Sequence, residues 1–170
     1  MRKDKKLLAL SITIFAVVLL CGFLMLGGFG LTFFNLVFGW EAYTVDVGFN
    51  AVPAYNMGKV ASVSLSFDIS VAKEKVPIEA LATGYHVHTF QGDNIGSDFK
   101  LHILVYVLNR VKLFDRTLSF EDLNPRQIKI YLQNVPAEAK QFYVEIDGSY
   151  TLNGEEIMFS NYGGAYALEA

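Results

Sequence analysis

Two of the chain's three histidines, His86 and His88, stand one residue apart in a stretch where Tyr85, Val87 and Thr89 occupy the alternate positions. On a β-strand such a pair points to one face about 7 Å apart, near enough for both imidazoles to reach one metal ion if a third ligand converges. His102, on the next strand candidate, is the obvious third ligand, and Asp93 and Asp98 are nearby acids. Copper or zinc is the chemistry such a trio would serve. The alternative is two solvent-facing strand histidines beside Val87 and Phe90, with no cofactor at all.

The string Gly84-Tyr85-His86-Val87-His88-Thr89-Phe90-Gln91-Gly92-Asp93-Asn94 resembles the copper-ligand strand of copper-zinc superoxide dismutase, with Gln91 as an inserted residue. By that resemblance His86 and His88 would be copper ligands in an extracytoplasmic Greek-key sandwich. The only histidine after His88 is His102 and the only cysteine is Cys21, so one chain cannot assemble the family's full copper, zinc and disulfide set. No glycine-rich phosphate loop, Gly-x-Ser-x-Gly elbow or paired-cysteine metal motif occurs. Glu121-Asp122 and Glu155-Glu156 fall in turn-like stretches, where solvation explains them.

Strands are what would position these side chains. From Tyr43 the hydrophobic period is two, with Tyr43, Val45, Val47 and Phe49 on one face and Thr44, Asp46, Gly48 and Asn50 on the other. Val63, Leu65, Phe67, Ile69 and Val71 alternate with Ser64, Ser66, Asp68 and Ser70 in the same way. Further strands read at residues 85–90, 99–108, 111–120, 128–132, 142–152 and 157–160, while residues 78–83 and 136–141 read as single turns. Asn153-Gly154, a pair suited to positive φ, predicts a hairpin between the last two strands. Residues 99–108 carry Leu104, Tyr106 and Leu108 on the face opposite their core side, so this strand is central or covered on both faces, or else presents an apolar patch to a partner. Tyr143, Tyr150, Tyr162 and Tyr166 could form an aromatic binding face, or simply reflect strand propensity. The expected fold class is all-β, an antiparallel β-sandwich of seven to eight strands, immunoglobulin-like or a similar Greek key, behind one amino-terminal transmembrane helix.

Residues 63–97 are also similar to the late-embryogenesis-abundant group 2 domain, also called the water-stress and hypersensitive-response domain. Phe67, Ile69, Val71, Pro77, Ile78, Leu81, Tyr85, Val87, Gly92, Ile95, Gly96 and Ser97 carry the similarity. Ala72-Lys73-Glu74 stands where that family usually has Asn-Pro. The resemblance implies a small β-sandwich, often behind a membrane segment, without catalysis.

The amino-terminal part is of a different kind. Residues 7–28 form 22 consecutive residues without a charge, which as a helix would span about 33 Å and match a hydrocarbon core of about 30 Å. Leu7, Phe15, Leu20, Phe23 and Leu26, together with Trp40 at the end of the uncharged stretch, would anchor the chain in the membrane. Arg2, Lys3, Lys5 and Lys6 precede the run and place the amino-terminus in the cytoplasm and the rest outside. A cleaved signal peptide or a lipid-modified Cys21 are the competing readings. The uncharged run continues to Trp40, too long for one straight helix. Residues 29–41 therefore read as an apolar collar in the headgroup region, as a first strand, or as a partner site, with residues 1–6 cytoplasmic and 42–170 the outer domain.

Four of the 14 basic and one of the 17 acidic residues lie in residues 1–6, which leaves 10 basic against 16 acidic in the outer domain. That balance repels phosphate backbones and argues against nucleic acid. The expected partners are the lipid bilayer and a protein in or on the membrane, or a second copy of the chain. The expected function is a binding, accessory or structural module of a cell-envelope assembly; a metal-binding protein and a surface-filament subunit are the alternatives. Catalysis is left open.

Overall fold

The computed structural model describes residues 39–92 and 95–168. The membrane-span reading of residues 7–28, the collar reading of 29–38, and Asp93 lie outside the described residues. Among the described residues no helix is long and apolar enough to cross a membrane.

The alternating patterns become strands, and they run longer than their hydrophobic cores. Strand β1 (Trp40–Asn56) and β2 (Lys59–Val76) are joined by Met57-Gly58, whose φ values of 49° and 76° give the paired left-handed residues of a tight hairpin turn. Trp40 and Glu41 thus open β1. A six-residue helix α1 (Ile78–Thr83) follows, over the residues expected to turn, and ends at Gly84 with φ 78°. Then come β3 (Tyr85–Thr89), β4 (Ser97–Val107), a 3-10 turn at Leu108–Arg110, β5 (Val111–Asp122), β6 (Arg126–Leu132), β7 (Gln141–Leu152) and β8 (Glu155–Ala167).

These eight strands form two four-stranded sheets, in the orders β2-β1-β6-β3 and β5-β4-β7-β8. Every pair with an assigned register is antiparallel. Glu41–Ala170 is one compact unit. The described residues therefore form an all-β sandwich. The Asn153-Gly154 hairpin forms as expected, both residues having positive φ. Strand β8 runs on past Ser160, beyond the expected span of 157–160. A register shift opposite β7 and a left-handed Asn161 absorb the irregularity and let pairing resume.

The inward faces make a single core. Phe99, Leu101, Ile103, Val105 and Val107 from β4 meet Val45, Val47 and Phe49 from β1, Ile128 and Ile130 from β6, and Phe142, Val144 and Ile146 from β7. Phe99 stacks on Phe49 at 4.6 Å between ring centres and approaches Phe120 at 5.7 Å. Gly148 keeps a place open for the Phe159 ring, since a Cβ there would lie 2.5 Å from it and 2.2 Å from the Lys100 carbonyl oxygen. Strand β4 is central in its sheet, flanked by β5 and β7, while Leu104 and Tyr106 on its outward face are only half-buried.

Candidate binding face

The fold does not bring the three histidines together. His86 and His88 are exposed on β3, an edge strand of the first sheet, opposite Lys129 and Gln127 of β6. Their inward neighbours Tyr85 and Val87 pack on the core, so both imidazoles face away from it. His102 belongs to β4 of the other sheet and also points outward, because Leu101 and Ile103 on either side are fully buried. The core, about 10 Å thick in such a sandwich, separates the two sites. Among the described residues no three metal-ligating side chains converge.

His102 is instead part of a cluster on the outward face of the β5-β4-β7-β8 sheet. Its Nε2 lies 2.9 Å from Asp115 Oδ1 on β5, and its Nδ1 lies 3.8 Å from Asp147 Oδ2 on β7. Lys112 donates to the other Asp115 oxygen. The hydrogen bonds from Lys112 and from His102 hold the Asp115 carboxyl below its ordinary range. With a carboxylate facing each ring nitrogen, the imidazole has no nitrogen directed at a hydroxyl or thiol, which is what a nucleophile-activating base requires. A groove of about 600 Å³ runs beside it, lined among others by Lys100, His102, Thr117, Asp147 and Met158.

One step along the same face the character changes. Leu104 sits half-buried between Asp115 on β5 and Glu145 on β7. Beyond it Tyr106 and Tyr143 face each other across the β4–β7 ladder, their rings 5.1 Å apart and within 9° of parallel. The Tyr106 hydroxyl donates to Glu145 Oε1 at 2.7 Å, and this bond to a carboxylate raises the phenol's pKa. The Arg110 guanidinium stands 5.6 Å from the centre of the Tyr106 ring. On β8 the residues opposite Tyr143 and Glu145 are Ala165 and Gly163. Gly163 has φ 122°, and a Cβ there would lie 2.0 Å from the Val144 carbonyl oxygen, so this flank carries no bulky side chain. The aromatic pair is left open on that side.

Comparison with known proteins returns no matching family model, no matching curated protein and no matching solved structure. The face offers an aliphatic side chain and two stacked phenols, one of them bonded to Glu145, beside a cluster in which His102, Asp115 and Lys112 hold one another. Aromatic rings with limited rotamer freedom and satisfied polar neighbours are what partner-binding surfaces favour.

Leu104, Tyr106 and Tyr143 were visible in the sequence as outward or aromatic positions. Asp115, Glu145 and Asp147 were not, because only the strand register sets them beside His102 and Tyr106. Of the other expected tyrosines, Tyr150 is buried, while Tyr162 and Tyr166 pack against the core.

The outward face of the first sheet is different. Asp46, Asn50, Ser66, Asp68, Ser70 and Gln127 line a groove there of about 470 Å³. Lys129 joins Asp46 to Glu74, at 3.4 Å and 2.7 Å. Burial alone would lower the Lys129 pKa, but these two carboxylates outweigh it and raise the value.

Proposed function

We propose that the chain is a membrane-tethered, extracytoplasmic β-sandwich that works by binding, as an accessory or structural module of a cell-envelope assembly. The uncharged run of residues 7–28 behind a basic head supports the tether and its orientation. The binding surface is the outward face of β5-β4-β7-β8, and the observation that carries it is the Leu104, Tyr106 and Tyr143 patch beside the ion-paired His102, Asp115 and Lys112 cluster. A partner there is another envelope protein or a second copy of the chain.

The strand orders support the finer reading of an immunoglobulin-like Greek key. Strands β4, β7 and β8 stand side by side as C, F and G do, and β1 lies next to β6 as B lies next to E. Strands β2 and β3 fill the places of A and D, although both lie between β1 and β4 in the chain. The three histidines serve no common site in this reading.

The test is co-purification of the full-length chain from detergent-solubilised native membrane. The wild-type chain is expected to emerge in a defined complex, with itself or with one protein, and a Leu104→Arg, Tyr143→Ala chain to emerge alone. A Ser66→Arg, Asp68→Arg chain, altered on the opposite sheet, is expected to keep the complex. Retention by the first variant, or a wild-type chain that is strictly monomeric, refutes the assignment.

A further inference from the structure

The end of the sandwich where the chain enters carries apolar side chains that the core does not use. The Tyr43 and Phe142 rings lie 5.3 Å apart, so β1 and β7 start at the same end. Tyr106 pairs with Tyr143, which brings the end of β4 and the Leu108–Arg110 turn there too. A cavity of about 530 Å³ is lined both by Leu81–Gly84 and by Val111–Arg116, which places the end of α1 beside the start of β5. Leu108 is 72% exposed, Ile78 56% and Val111 47%. Asn109 and Arg110 both adopt left-handed backbone, with φ 61° and 57°, a conformation non-glycine residues disfavour. That double reversal makes a tight turn with Leu108 exposed beside it, while Arg110 stays near the Tyr106 ring.

Resting on the proposed tether, we infer that this end of the domain lies on the phospholipid surface, with Leu108 and Ile78 entering the headgroup region. The occupant is a bilayer rather than a protein because of what adjoins this end in the chain. Residues 29–38 contain four phenylalanines and no charge, a composition favoured at the membrane interface. Even fully extended, at about 3.5 Å per residue, such a tether holds the entry point within about 40 Å of the hydrocarbon edge. Two of the charges near this end already have partners, Lys73 with Glu41 and Lys112 with Asp115. Lys75, Arg110 and Lys140 are offset by Glu79 and Glu138, so burial of apolar area, more than charge, would hold the surface down.

The experiment uses the full-length chain with Trp40→Phe, which removes the only tryptophan, reconstituted in phosphatidylcholine and phosphatidylglycerol vesicles with brominated acyl chains. Leu108→Trp and, separately, Ile78→Trp are expected to show blue-shifted emission quenched about twofold, as for rings held about 5–10 Å into the headgroup and acyl boundary. Met57→Trp, at a 98% exposed position on the far hairpin tip, is expected to be unquenched. If the chain stays with the vesicles after an alkaline wash but Leu108→Trp and Ile78→Trp are unquenched, or no more quenched than Met57→Trp, the surface contact is overturned and the tether stands. A chain that washes off the vesicles overturns the tether, and the inference with it.

Discussion

A Phe99→Ala chain is expected to lose about 3–5 kcal/mol of folding stability, a large share of the roughly 5–15 kcal/mol that a domain of this size has to spare. Phe99 is fully buried at the point where the two sheets meet. Its ring stacks on Phe49 from the first sheet, lies 5.7 Å from Phe120 on β5, and approaches Phe159 on β8 at 6.2 Å. Truncation removes contacts to three other strands at once and leaves a void that rigid sheets cannot close. Urea unfolding followed by tyrosine and tryptophan fluorescence should show the midpoint falling with little change in slope. Leu104→Ala, on the outward face of the same strand, should cost about 1 kcal/mol or less, because that side chain is only partly withdrawn from water. Equal losses for the two variants would mean that β4 does not lie with Phe99 inward.

Asp122→Asn is expected to cost about 2–3 kcal/mol near neutral pH. The Arg126 side chain is 4% exposed, packed over the Phe120 ring at 4.3 Å, and bonded to the Asn124 carbonyl oxygen and the Asp122 carboxylate. Without the carboxylate a buried guanidinium keeps its charge and loses its counter-ion, a change that costs about 3–5 kcal/mol when both partners are buried. Asp122 is 32% exposed, so water takes up part of the loss and the lower figure applies.

The same pair sets a pH dependence. Burial pushes the Asp122 carboxyl up, but Arg126 and the Asn124 amides outweigh it and hold the group below its ordinary value. A carboxyl depressed in the folded state adds stability that is complete above the unfolded value, about pH 4, and is lost as pH falls through the lower folded value. The wild-type urea midpoint should therefore fall on acidification below about pH 4. The Asp122→Asn midpoint should fall less over that interval. Parallel curves would show that Asp122 and Arg126 are not coupled.

Local alternation was enough to read most of the strands. Val63 to Val71 and Tyr43 to Phe49 each show their inward side in the residue types alone, because a strand buried on one face separates apolar from polar at period two. Asn153-Gly154 marked its hairpin for the same local reason. The Met57-Gly58 turn escaped notice, since methionine rarely takes left-handed backbone and nothing in its type announces it. The larger loss concerned the histidines. His88 and His102 are close in sequence, yet the connection between β3 and β4 carries the chain from one sheet to the other. Sheet membership depends on pairing between distant strands, which no local pattern reports. The same holds for Asp115 and Asp147 beside His102, and for Glu145 beside Tyr106.

The most direct test of the binding assignment is a photo-reactive phenylalanine analogue placed at Leu104 in the full-length chain and irradiated in intact cells, with the same analogue at Asp68 on the opposite sheet as reference. The expected result is one discrete crosslinked species from position 104 that disappears when Tyr143→Ala is added, and none from position 68. Absence of any adduct at 104, or adducts of equal yield from both positions, would contradict a binding role for the β5-β4-β7-β8 face.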